Sequence, residues 1–248
     1  MHHRGLLQDV RMMRVIVRTC DKYLPALRPF SWLFNKYWSP NQPVVVGGFT
    51  PPDFELPTNF SFHSIGSKGD YPVERWSDGL IAFLKAIPDE VFVLMLEDMW
   101  MPRHVDVEAV QNLCRYMHQF KRVLKIDLCA DRLYTGKATD YGAFHRLDLV
   151  LSDRASEYQM SLMPGLWRKE LLLRHLVPGE TPWQVEKQGT PRVAADKSAI
   201  VLGTRQWPVR AMSVFRRGDA TKLHLAGLRE GDVTKLRKMG YLAPWGMT

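Results

Sequence analysis

Short apolar runs alternate with amphipathic stretches through the first half of the chain. The run Met13–Cys20 (MRVIVRTC) is rich in β-branched residues and short, which predicts a buried strand ending in the polar group Thr19, Cys20, Asp21 and Lys22. From Leu24 to Tyr37, Phe30, Trp32, Phe34 and Tyr37 fall near helical spacing, although Pro25 and Pro29 blur where the helix starts. PVVVGGF (43–49) and FSFHSIG (60–66) predict two further strands, divided by a Pro-rich loop. Ser77 and Asp78 offer caps for a helix that carries Leu80, Ile81 and Leu84 on one face. VFVLMLEDMWM (91–101) is the strongest strand signal in the chain. Asp106 then opens a helix striped by Val107, Val110, Leu113 and Met117, and RVLKIDLC (122–129) gives a fifth strand. Such an order predicts an α/β fold: a mostly parallel central sheet with helices on both faces, Rossmann-like. With no repeat and no low-complexity linker, one domain over 1–248 is expected.

The second half changes character. LDLVLSD (147–153) and YQMSLM (158–163) read as strands, and GLWRKELLLRHL (165–176) as an amphipathic helix. TPWQVEKQG (181–189) predicts a compact helix: Thr181 as N-cap, Pro182 at the first position, Gln184 completing a capping box and Gly189 as the stop. SAIVLG and PVRAMSVF suggest late strands before a basic tail.

Composition narrows the class. The 34 Lys and Arg against 26 Asp and Glu leave a net charge of +8, which suits a polyanionic partner as well as a merely solvated basic surface. Three cysteines without metal-site spacing fit a reducing cytoplasm, with Cys114 and Cys129 as small buried hydrophobes. The N-terminal MHHRGLLQDVRMMR lacks the apolar core of a signal peptide, and no stretch approaches a membrane span, so a soluble cytoplasmic protein is expected.

In open α/β sheets, ligands sit at the carboxyl ends of the strands. Two predicted strand ends carry suitable groups: Thr19 and Asp21 on the first, Glu97 and Asp98 on the fourth. Carboxylates there accept hydrogen bonds from a ribose or ligate a divalent ion beside a diphosphate. The same Glu-Asp pair also fits a turn before Pro102, and both acids can face one ligand only if the strand has already broken. Glu186, one turn into the capped helix, suits a general base beside Trp183. Phosphate-loop, dinucleotide and nucleophile-elbow signatures are absent, and no HExxH pair exists. Among the scattered histidines, His224 is the candidate metal ligand.

Three segments, VIVRTCDKYL, WSDGLIAFLKAI feeding VFVLMLEDMWM, and SLMPGLWRKELLLRHLVPGETPWQVE, together resemble a nucleotide-sugar-dependent glycosyltransferase of the GT-A type, family-2-like, over roughly residues 13–217. The resemblance implies a nucleotide-sugar-binding half (13–130), an acceptor-binding half (131–217) and a basic tail (218–248). It implies that Thr19 and Asp21 approach the nucleoside of a UDP-sugar with Trp76 and Asp78 nearby. Glu97 and Asp98 then meet the diphosphate, Asp98 holding Mn2+ or Mg2+, and Glu186 is the base of an inverting transfer. The usual Asp-x-Asp is replaced here by Glu97-Asp98-Met99-Trp100, which puts strict metal dependence in doubt. Similar proteins build cell-surface polysaccharides or, in viruses, glycosylate hydroxymethylated pyrimidines in DNA. The basic charge and the arginines at 216, 217, 229 and 237 lean towards DNA, with Trp167 and Trp183 lining an acceptor pocket. A nucleotidyltransferase and a non-catalytic nucleic-acid-binding α/β module are the rival readings.

Overall fold

The computed structural model describes residues 13–134 and 137–247, so the N-terminal histidines fall outside the described residues. Strand β1 (Val15–Arg18) and helix α1 (Leu24–Tyr37) lead to β2 (Val44–Gly48) and β3 (Phe60–Ser64). Helix α2 (Trp76–Ala86) precedes β4 (Val91–Leu96), the two-residue β5 (Met99–Trp100) and α3 (Val107–Gln119). Next come β6 (Val123–Asp127), the short α4 (Asp131–Tyr134), β7 (Ala138–Phe144), β8 (Leu147–Ser152) and β9 (Gly165–Arg168). Helices α5 (Lys169–His175) and α6 (Pro182–Ala195), strands β10 (Ile200–Thr204) and β11 (Met212–Ser213), and α7 (Glu230–Lys238) complete the chain.

Nine strands form one sheet in the order β3-β2-β1-β4-β9-β6-β10-β8-β7, in which β8 and β9 run against the rest. The mostly parallel α/β sheet is therefore as the element order predicts. Its apolar runs are continuous because both faces are covered. Side chains alternate along β1: Val15 and Val17 join Phe30 and Phe34 of α1, while Ile16 joins Leu80 and Phe83 of α2 on the opposite face. On β4, Val93 and Met95 face the first cluster and Phe92 and Leu94 the second. No helix among the described residues is long and apolar enough to cross a membrane.

Several local expectations are corrected. Helix α2 starts at Trp76, so Ser77 and Asp78 lie inside its first turn instead of capping it; Ser77 Oγ donates to the Val177 carbonyl at 2.7 Å. The stretch 158–163 is a loop, and 165–176 is divided: Gly165–Arg168 is β9, wedged antiparallel between β4 and β6, and only the remainder is helix. The capping box at Thr181 forms as expected, yet α6 runs past Gly189 to Ala195. Gly189 is small for packing: a Cβ there would lie 2.8 Å from Met160 Cγ. Of 208–215 only Met212–Ser213 is strand, the tail contains α7, and the exposed edge strand β7 was not anticipated. Cys114 and Cys129 are buried, as expected.

Candidate active site

Parallel strands β1, β2 and β4 finish on the same side of the sheet, and a cavity of about 690 Å³ opens there. The end of β1 contributes Arg18, Thr19, Asp21, Lys22 and Tyr23; the end of β4 contributes Glu97 and Asp98. Phe49, Tyr71 and Trp76 form another wall, and Phe49 and Tyr71 stack with ring centroids 6.4 Å apart. Across the opening stand Leu162, Met163, Trp183 and Glu186, and Ser213, Phe215 and Gly218 close it from the C-terminal side.

The fourth strand does break at its acids. Trp100, wholly buried, anchors the turn: its indole N–H donates to the Glu97 carbonyl at 3.1 Å and its backbone N–H to that of Asp98 at 3.2 Å. That turn lets two adjacent acids line one cavity. Strand β11 then pairs with β5, setting Met212 opposite Trp100 and Ser213 opposite Met99. As a result Ser213 Oγ donates to Asp98 Oδ2 at 2.7 Å, and the Val214 N–H to the Asp98 carbonyl at 2.9 Å. Burial, with the neighbouring Asp98 charge, holds the Glu97 carboxyl well above the usual carboxylate range. Burial also raises that of Asp98, against the pull of the Ser213 hydroxyl. Burial is the larger cause for both acids, and the Arg18 charge offsets it only in part at Glu97.

Asp21 accepts from the Thr50 N–H at 3.1 Å and the Thr50 hydroxyl at 3.2 Å, so the carboxylate at the cavity mouth is held by the loop after β2. Thr19 is buried, and its N–H donates to the Gly47 carbonyl. Glu186 is presented by the capped first turns of α6, where its Oε1 accepts from the Leu162 N–H at 2.7 Å. Trp183 stands at the rim, 50% exposed.

Three expected positions fall elsewhere. Trp167 is 0% exposed, in the core beside Phe92 and Leu172 with the Lys125 ammonium over its ring, and does not line the cavity. Asp78 does not line it either: it accepts from Arg75 at 2.7 Å and from the Gly179 N–H at 2.7 Å, tying α2 to the segment before α6. His224 lies one backbone hydrogen bond behind Val214 and is not part of the lining. Among the described residues, no three His, Cys, Asp or Glu side chains gather to hold a metal ion.

Sequence reasoning missed Arg18, Lys22, Tyr23 and the strap Ser213–Gly218. Lys22 and Tyr23 adjoin Asp21 and were findable from it, but nothing local marks the strap. Gly218 has φ 73°, and its carbonyl accepts from the Tyr23 hydroxyl at 2.7 Å and the Lys22 ammonium at 2.9 Å. Tyr23 also stacks on Phe215, centroids 5.4 Å apart, and burial, with Glu97 beside it, pushes its phenol up to about 12.

No protein-family model and no curated protein matches the chain. Solved structures similar to it include the mannosyltransferase PcManGT from Pyrobaculum calidifontis in complex with GDP-Man and Mn2+. That likeness has 15% identity over 84% of this chain and a TM-score of 0.44. S. aureus TarS 1-349 is similar at 15% identity over 76% of this chain, TM-score 0.43. UDP-glucose pyrophosphorylase complexed with UDP-glucose is similar at 6% identity, TM-score 0.44, covering 92% of this chain and 99% of the other. The chain spans 58% of the mannosyltransferase and 57% of TarS. Likenesses this distant assign no activity.

Proposed function

We propose that the protein is a glycosyltransferase that moves a sugar from a nucleotide-sugar donor, a UDP-sugar in the first instance, to an acceptor hydroxyl. One observation carries this reading: a single cavity at the strand ends holds Asp98 on one wall and a helix-mounted carboxylate, Glu186, on another. A donor that lays its diphosphate towards Glu97-Asp98 and its nucleoside against Thr19, Asp21 and Trp76 leaves its sugar towards Glu186 and Trp183.

The residues fit a divalent cation, Mn2+ or Mg2+. Two adjacent carboxyl groups stand together at the strand end, both raised in pKa chiefly by burial, and Asp98 faces the cavity. Asp98 would hold the ion with phosphate and water completing its shell, and the ion would supply charge neutralisation for the departing diphosphate. Glu186, oriented by the Leu162 N–H, accepts the acceptor's hydroxyl proton as that oxygen bonds to the anomeric carbon. The bond from that carbon to the phosphate oxygen breaks, the nucleoside diphosphate leaves, and the configuration inverts. Trp183 offers its exposed face to the acceptor. The net charge of +8 and the exposed Lys68 and Arg216 near the opening favour a hydroxymethylated pyrimidine in DNA over a neutral glycan as that acceptor.

Thermal-shift measurement against UDP-, GDP- and CMP-sugars, with Mn2+ and with EDTA, tests the donor site. At a hundred times its Kd, a donor stabilises the fold by about 2.7 kcal/mol, a rise of several degrees. At least one nucleotide sugar with Mn2+ is expected to give that rise. No rise with any of them contradicts the proposal.

A further inference from the structure

Arg18 follows Ile16 by two positions on β1, so its side chain projects to the α2 face of the sheet end. It is 1% exposed and lines the cavity. The guanidinium lies over the Phe49 ring, Cζ 4.9 Å from the centroid, and beside Gly79 of α2, where a Cβ would come within 3.1 Å of Nη2. Nη1 donates to the Thr19 carbonyl and, at 3.3 Å, to that of Gly47. Nε reaches no acceptor, and Glu97 and Asp21 act on Arg18 only from a distance. Burial pulls its pKa down to about 10. A guanidinium buried without an ion-pair partner is costly, and the unused Nε and Nη2 lie on one edge of the guanidinium, the edge that suits two oxygens of an anion.

We propose that Arg18 is a fixed counter-charge for the donor, its Nε/Nη2 edge taking two phosphate oxygens, so that part of the donor's binding needs no divalent metal. This rests on the nucleotide-sugar reading of the cavity. A base carbonyl would satisfy the N–H groups but leave the buried charge uncompensated, which is why a phosphate is the group assigned. The second counter-charge also offers a reason why Asp98 can serve without a second acid two residues on.

The test follows the Nε–Hε NMR resonance of Arg18 in protein labelled with 15N at arginine, in EDTA, the signal assigned by its loss in Arg18→Lys. Inorganic pyrophosphate and UDP are expected to shift it saturably, and uridine to leave it in place. Arg18→Lys, which keeps a buried cation but loses the fork, is expected to bind pyrophosphate about 10- to 100-fold more weakly. An unmoved resonance, an equal shift with uridine, or equal pyrophosphate affinity in a folded Arg18→Lys overturns the assignment. If wild-type protein binds UDP-sugars with Mn2+ while the Arg18 signal stays still, only this assignment fails. If it binds no nucleotide or nucleotide sugar under any condition, the donor reading fails, whatever pyrophosphate does.

Discussion

Replacing Asp98 by Asn is expected to lower turnover about 100- to 1000-fold, the cost of losing an electrostatic element that acts on the leaving group. The fold should survive, because an Asn side-chain oxygen still accepts from Ser213 Oγ and the backbone bond from Val214 is unchanged. Removing a carboxylate whose ionisation burial opposes also relieves the folded state at neutral pH. The expected signature is therefore a melting temperature at or slightly above wild type, no additional stabilisation by donor plus Mn2+ over donor in EDTA, and turnover near background. A variant with wild-type turnover would remove Asp98 from the mechanism. Unchanged nucleic-acid binding in the same variant, with no turnover in either protein, would favour the non-catalytic rival.

Glu186→Gln is expected to cost about 100- to 10,000-fold in kcat, the span attributed to a positioned general base, with little change in the KM for donor. Gln is the informative substitution because its Oε1 can keep the bond from the Leu162 N–H, so the loop around residue 162 stays placed while the basic group is gone. The capping box at Thr181 lies outside the change, so α6 is expected to remain formed. A loss in donor KM with kcat preserved would mean that Glu186 binds the donor and some other group takes the proton. Retention of anomeric configuration in the product would exclude direct displacement whatever the size of the loss.

The fold was largely legible because the parallel half advertises itself. Strands buried on both faces read as continuous β-branched runs, and α3 and α6 carry their own caps at Asp106 and Thr181. What escaped is set by partners far away in sequence. Gly165–Arg168 reads as the start of a helix because its neighbours are helical; it becomes strand only through pairing with β4 and β6. Gly189 looks like a stop, and it is Met160, not the chain ends, that calls for a glycine there. Trp167 looked like a pocket aromatic, but its place in the strand order buries it.

The site was legible only in part for the same reason. Thr19, Asp21, Glu97, Asp98, Trp76, Trp183 and Glu186 all line the cavity, since strand ends and a well-capped helix can be found locally. Arg18 reads as an ordinary charged strand residue until the surrounding elements close over it. Ser213 reaches Asp98 from 115 positions away, along a strap that Tyr23 and Lys22 fasten at Gly218.

The most direct measurement asks which bond of the donor breaks. Wild-type protein is incubated with Mn2+ and whichever nucleoside diphosphate sugar stabilises it, with water as the only acceptor, and the slow products are separated. Glycosyl transfer cleaves between the anomeric carbon and the phosphate oxygen, giving nucleoside diphosphate and free sugar, the outcome expected here. Nucleoside monophosphate with sugar 1-phosphate would place cleavage in the phosphoanhydride and contradict the account.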